Sequence, residues 1–326
     1  MLKIIKKLPR LTPRRAESHK GNFGKIFILA GSRGLTGAAY LCAKGALRSG
    51  AGLVLVGTPA SQQPILAAKL TCAMTYPLPE TKQQTLSLKS KNEIITLVKN
   101  SDVVALGPGL SQHPETVHLV QEVLLELNRR SLQHIPLVID ADGLNALSHR
   151  LNILKKIANP VILTPHPGEM SRLLNHPPEA DQSQFPIISG QAQRIKLASD
   201  FAQKYGVIVV LKGHQTIVTD GPRYYINQTG NPGLASGGMG DVLTGMIAGL
   251  LGSGVKSLQD KLRPEGHRGG ALTPFESAQL SVYLHGLAGD LAAKKIGPVS
   301  LLATDLLEYL PQAFLQHHHN KRKDVV

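Results

Sequence analysis

Five short runs of almost unbroken apolar residues, many of them β-branched, recur along this chain at 25–30, 53–57, 102–107, 137–140 and 161–164. A strand with one wet face alternates apolar and polar residues, whereas a run that stays apolar is covered on both faces, as in parallel sheets. Between and after these runs the spacing predicts helices over 37–49, 114–129, 191–205, 241–251, 274–294 and 303–310. Alternation of strand and helix predicts an α/β fold, a mostly parallel sheet with helices on both faces. Runs at 207–211, 215–219 and 223–227 follow one another across short turns such as Asp220-Gly221. That pattern predicts a small antiparallel extension of the sheet.

No repeat, low-complexity linker or shift in composition divides the chain, so one domain is expected over 16–313. A basic tail at 1–15 precedes it, and a polar tail at 314–326, with His317, His318 and His319, follows. The stretch 256–272 is polar, basic and glycine-bearing, and reads as a surface loop insertion. The formal charge of +14 raises nucleic acid as a partner, but ten of these charges sit in 1–15, 256–268 and 321–326. Charge confined to ends and one loop is the pattern of solvated segments, and an anionic small substrate suits it as well. Aromatics at 4%, with no Trp, are too few to build stacking platforms, so no nucleic-acid partner is expected. Cys42 and Cys72 make neither a disulfide framework nor a metal cluster, which suits a reducing cytoplasm. Residues 1–15 lack a secretory core, and the apolar stretch near 242–255 is too short and glycine-rich to span a bilayer. A cytoplasmic protein without a membrane partner is expected.

The densest chemical signal is Gly237-Gly238-Met239-Gly240-Asp241, just before a helical run. Bare backbone N–H groups and the positive helix end converge there, a geometry suited to phosphate or to a developing oxyanion. Asp241 falls in the first turn, where the helix field favours its ionised form. A carboxylate beside such a hole takes a proton from a hydroxyl while the hole neutralises a transferring phosphoryl group. The plainer alternative is that the glycines allow close helix packing and Asp241 caps the helix.

Other segments carry weaker signals. The loop 31–38 follows a strand and opens a helix, but its Gly31-x-x-Gly34-x-x-Gly37 spacing is not the dinucleotide fingerprint, and no acid ends the next strand. Gly107-Pro108-Gly109 is either a tight turn or backbone left bare for a ligand. His166, between Pro165 and Pro167 at a strand end, is either a positioned polar contact or an exposed loop residue. Lys212-Gly213-His214-Gln215-Thr216 forms a tight turn whose lysine either meets phosphate or is simply solvated. Asp140 and Asp142 are a weak signal for a hydrated metal ion. His285 and Asp290 share a helix, where packing is the expected role.

Taken in order, these segments, with His19-Lys20-Gly21-Asn22-Phe23-Gly24-Lys25 and Ile139-Asp140-Ala141-Asp142-Gly143-Leu144-Asn145, resemble one family over roughly 9–311. That family is the ADP/ATP-dependent NAD(P)H-hydrate dehydratases of the ribokinase-like superfamily. The resemblance implies a ribokinase-like three-layer sandwich and a carbon–oxygen lyase that repairs the S epimer of hydrated NADH and NADPH. Such enzymes phosphorylate the ring hydroxyl, with ADP in most bacterial members or ATP elsewhere and with Mg2+, and then eliminate phosphate. By position, Asp241 matches the base, and Gly237, Gly238 and Gly240 match the anion hole. Gly240 with Lys212, Gly213, His214, Gln215 and Thr216 matches the nucleotide contacts; Ala38, Gly109, His166 and Asp241 match the substrate side. No metal ligand is assigned, and a homo-oligomer is expected by analogy. Ala30, Met239 and the pair His214-Gln215 depart from the family's usual residues and leave the donor open between ADP and ATP. An epimerase domain often precedes this core in the family; with about 20 residues ahead of it here, that activity is not expected. The alternatives are a small-molecule kinase of the same superfamily, acting on a vitamin precursor or sugar, and a nucleotide-sensing protein without turnover.

Overall fold

The computed structural model of the chain describes residues 2–129, 131–174, 190–259 and 272–323. Its centre is a 10-stranded sheet. The strands are β1 Lys3–Ile4, β2 Lys25–Leu29, β3 Leu53–Pro59, β4 Met74–Leu78, β5 Val103–Leu106, β6 Leu137–Ile139, β7 Val161–Leu163, β8 Ile208–Leu211, β9 Ile217–Thr219 and β10 Arg223–Ile226. They lie in the order β1-β10-β9-β8-β7-β6-β5-β2-β3-β4. From β4 across to β8 every pairing is parallel, and β9 then runs antiparallel to both β8 and β10. The parallel sheet and its small antiparallel extension are as the sequence predicts.

Alternation along the strands divides the core. Ile26 and Ile28 face one side and Phe27 and Leu29 the other, all four essentially without solvent exposure. Helices cover both faces, which is why the strands carry no polar face. They are α1 Thr36–Arg48, α2 Gln63–Lys69, α3 Lys91–Lys99, α4 Pro114–Glu126, α5 Ala141–Ser148, α6 Pro167–Leu174, α7 Gln191–Tyr205, α8 Met239–Gln259, α9 Pro274–Ile296 and α10 Ala303–Lys323. A third apolar cluster, including Met239, Met246, Leu284, Leu306 and Leu310, joins α8, α9 and α10.

Helices α1 and α8 approach until their backbones touch. A Cβ on Gly245 would overlap the Cys42 carbonyl oxygen, and one on Gly249 would lie 2.6 Å from that of Ala46. These two glycines serve close helix packing.

Three segments differ from the sequence reading. Residues 1–15 are not simply solvated: β1 pairs with β10, the Lys7 carbonyl accepts from Gln279 at 3.0 Å, and the Arg14 guanidinium lies 3.8 Å over the Phe23 ring. Apolar Ile5, Leu8 and Leu11, hidden among the charges, pack onto the core. At the other end, α10 runs past Pro311 to Lys323, because Leu310, Ala313 and His317 are buried at helical spacing. His317, placed above in a polar tail, meets the Pro9 carbonyl at 3.2 Å. Lastly, 256–259 continue α8 rather than opening a loop, and 260–271 lie outside the described residues.

Topology locates the site. The chain leaves β2 toward β3 and β4, then returns to β2's other side as β5. This reversal of strand order between β2 and β5 marks the carboxyl edge, where open α/β sheets hold their ligands.

Candidate active site

The loops after β2 and β5 meet at that edge. Gly31 N–H donates to the Pro108 carbonyl at 2.9 Å, and Ser32 Oγ donates to the Gly109 carbonyl at 2.8 Å. Gly109 has φ 63°, and a Cβ placed there would lie 3.1 Å from the Ala38 Cβ. Ala38 and Gly109, both candidates from the sequence, are thus brought together.

The glycine turn lies beside them. Gly238, with φ 87°, turns the chain into α8 and packs against Leu41 of α1. Its carbonyl accepts from Val242 N–H at 3.1 Å, which makes it the N-cap and places Met239, Gly240 and Asp241 in the first turn. Amides of a first turn have no partner within their own helix. Met239 turns its side chain into the apolar cluster under α9 and α10, so a large residue at this position leaves the hole unobstructed. A Cβ on Gly237 would meet nothing within 4 Å, and one on Gly240 would lie 3.3 Å from Lys212 Nζ. Gly237 and Gly240, unlike Gly238, Gly245 and Gly249, are not held by a packed neighbour.

Lys212 joins the strand ends. Its Nζ donates to Asp140 Oδ1 at 2.7 Å and lies 3.6 Å from Glu169 Oε2. Burial lowers the ammonium's pKa, but Asp140, Glu169 and Asp241 outweigh it and leave the pKa raised, so Lys212 is charged. Asp140 also accepts from Thr244 Oγ1 at 2.8 Å, one turn along α8 from Asp241. Burial, and then the charge of Asp140, push the Asp241 carboxyl up to about 7. This corrects the expectation that the helix field would favour its ionised form. A carboxyl in that range both accepts and releases a proton near neutrality.

His166 caps α6. Its Nδ1 accepts from Gly168 N–H at 3.0 Å and Glu169 N–H at 3.3 Å, while the His166 backbone N–H donates to Glu169 Oε2 at 2.7 Å. This reciprocal pair is a capping box with histidine in the serine position. Burial holds the imidazole pKa below its ordinary value, which keeps Nδ1 free to accept. The remaining nitrogen, Nε2, lies 3.6 Å from Glu169 Oε1. His166 is half-exposed and positioned, not loose.

Helix α9 holds the approach to the turn. Asp290 accepts from Gly230 N–H at 2.8 Å and Asn231 Nδ2 at 3.0 Å, and Thr229 Oγ1 donates to the Tyr283 carbonyl at 2.8 Å. His285, pushed down to about 4 by burial, is neutral and donates from Nε2 to the Met239 carbonyl at 3.0 Å. His285 and Asp290 take the packing role expected of them.

Asp140 and Asp142 do not form a metal cage. Asp142 accepts from Ser111 N–H at 2.8 Å and Asn145 Nδ2 at 3.3 Å, and both oxygens of Asp140 are engaged as described. Among the described residues no three acidic, histidine or cysteine side chains gather as metal ligands. The structure adds Glu169, Thr244 and Arg194 to the residues the sequence suggested. Glu169 carried a signal, three residues after a strand-end histidine; Thr244 and Arg194 carried none.

A parallel sheet with an antiparallel extension and a glycine turn feeding a helix at its carboxyl edge defines the ribokinase-like class of enzymes. A ribokinase-like superfamily protein from Enterococcus faecalis shares the fold with a TM-score of 0.71 at 26% identity, covering 97% of this chain and 96% of its own. The family model for NAD(P)H-hydrate dehydratases matches residues 26–312, and the chain belongs to that family. The ADP-dependent (S)-NAD(P)H-hydrate dehydratase of Bacillus subtilis is 33% identical over 93% of this chain and 94% of its own length. A crystal structure of the ADP/ATP-dependent dehydratase from that organism, co-crystallised with ATP/Mg2+, has a TM-score of 0.70 at 30% identity and covers 94% of both chains. A bifunctional NAD(P)H-hydrate repair enzyme of Moorella thermoacetica is 42% identical over 93% of this chain. The chain spans about half the length of such bifunctional relatives, 51% in that case.

Proposed function

We propose that this chain dehydrates hydrated NADH and NADPH, S epimer, in a nucleotide-dependent repair reaction with ADP as the preferred donor and ATP as the alternative. The observation that carries the reading is Asp241, held near neutrality in the first turn of α8 beside the open glycine turn. In this proposal Asp241 accepts the proton of the ring hydroxyl as that oxygen bonds to the terminal phosphorus and the bond from phosphorus to the nucleotide breaks. Gly237, Gly238 and Gly240 form the hole, with the amides of the first turn facing the transferring group. Lys212 neutralises charge from behind Gly240, and Gly213, His214, Gln215 and Thr216 meet the nucleotide. Ala38, Gly109 and His166 line the substrate side. Phosphate then leaves with the carbon–oxygen electron pair, a proton departs from the adjacent carbon, and the dihydronicotinamide ring is restored. Phosphate is a far better leaving group than hydroxide, which is what the nucleotide contributes.

Carboxylates outnumber the Lys212 ammonium at the site, so a phosphate that arrives with its own Mg2+ suits it better than a bare one. Among the described residues no helix is long and apolar enough to cross a membrane. The proposal includes a cytoplasmic location and a homo-oligomer, which sizing chromatography with light scattering checks.

The test is incubation with NADPH hydrate and ADP or ATP. Recovery of near-ultraviolet dihydronicotinamide absorbance supports the reading. A stable phosphoester, or no reaction with either nucleotide, overturns it.

A further inference from the structure

The turn at 212–216 lies between β8 and β9: Gly213 takes φ 132°, open to glycine, and Gln215, which carries a side chain, is held at the costlier φ 52°. One bond closes it locally, from Thr216 Oγ1 to the Gly213 carbonyl at 2.9 Å. Its ends are held by Lys212 N–H donating to the Pro165 carbonyl at 2.8 Å and Asn227 N–H donating to the Thr216 carbonyl at 2.9 Å, and the carbonyls between them are met from the first turns of α7. Arg194 Nη1 donates to the His214 carbonyl at 2.6 Å, and Nη2 to the Lys212 carbonyl at 3.4 Å. Gln191 Nε2 donates to the Gln215 carbonyl at 3.3 Å, and its Oε1 accepts from Arg194 Nη1 at 3.2 Å. A Cβ on Gly213 would lie 3.1 Å from Nη2, so the guanidinium occupies the hollow that a side chain at 213 would fill.

Helix α7 gains little from an arginine here. A cation near a helix N-terminus is disfavoured by the helix field, and the first turn of α7 has no acid to offset it. Burial also pushes the guanidinium pKa down, and the buried Nε–H finds no partner among the described residues. The return lies in the turn. In a trans peptide the carbonyl of one residue and the N–H of the next point in opposite directions. Carbonyls of Lys212 and His214 drawn toward α7 therefore aim the amides of Gly213 and Gln215 away from it. Neither amide donates a hydrogen bond among the described residues.

We infer that Arg194 is the positioning residue of the nucleotide site, holding the 212–216 turn so that the amides of Gly213 and Gln215 face acceptor atoms of a nucleoside di- or triphosphate. The inference rests on the proposed use of an adenine nucleotide. A lysine at 194 keeps the charge but not the planar fork that spans two carbonyls.

The test measures ADP and ATP binding to the full chain by titration calorimetry, with hydrate kinetics alongside. In Arg194→Ala and in Arg194→Lys the nucleotide Kd and KM rise about 10- to 100-fold, while kcat at saturating nucleotide changes by less than about threefold. The hydrate KM stays unchanged, and added guanidinium restores affinity to Arg194→Ala but not to the wild type. Should Arg194→Ala fail to fold, Arg194→Lys and Gln191→Ala carry the test, the latter with a rise of about 3- to 10-fold. A folded Arg194 variant that binds both nucleotides within about twofold of wild type overturns the inference. A wild-type chain that binds neither nucleotide removes this inference together with the proposed function.

Discussion

At residue 241 burial and neighbouring charge act together, and both consequences are measurable. The carboxyl is raised to about 7 from the ordinary aspartate value of 3.8. If it is the base, kcat/KM climbs with pH along an acid limb centred near 7 and flattens above it; a profile flat from pH 5 to 9 excludes the role. Asp241→Asn should lower kcat by about 10²–10⁴-fold while ADP and ATP still bind, as calorimetry would show. The same raised pKa costs stability. Between 3.8 and about 7 the folded state holds a proton that the unfolded state has lost, so this group's contribution falls as pH rises through that window. The asparagine variant is therefore expected to be more stable than wild type at pH 8, by on the order of 1–2 kcal/mol, and to lose that margin by pH 4. Chemical denaturation at the two pH values reads the difference. Much of this site is legible in the sequence, because glycines before a helix and an acid in its first turn are local features. The partners are not. Asp140 and Lys212 meet Asp241 only once distant strand ends are brought together, and the direction of its shift is set by burial that no local pattern shows.

Among the elements, the strands were readable for a simple reason. A fully covered strand must be apolar throughout, so β2, β3, β5, β6 and β7 stand out from their flanks. Helices α2, α3, α5 and α6, none longer than nine residues, complete too few turns to fix a periodicity, and the sequence reading passed over them. The start of α8 divides its glycines into two kinds, and substitution separates them. Gly245→Val forces a side chain into the Cys42 carbonyl and should destabilise the protein by about 3 kcal/mol or more. Gly237→Ala points into open space and should leave stability within about 0.5 kcal/mol while lowering turnover. Equal stability losses in urea melts of the two variants would show that both glycines serve packing.

Over the whole molecule, the first fifteen residues were the least legible part, since six basic side chains mask the apolar residues between them. Removing residues 1–12 should lower the melting temperature by several degrees, because it strips β1 from β10 and empties the contacts of Gln279 and His317. An unchanged melt would mean that those contacts contribute nothing. The bond between Pro9 and His317 spans 308 positions of the chain. The opening segment is therefore made well before its seat and docks only once β10, α9 and α10 have all been made. Until then Ile5, Leu8 and Leu11 lack the surface they pack on, and charges flanking apolar residues in this way oppose aggregation.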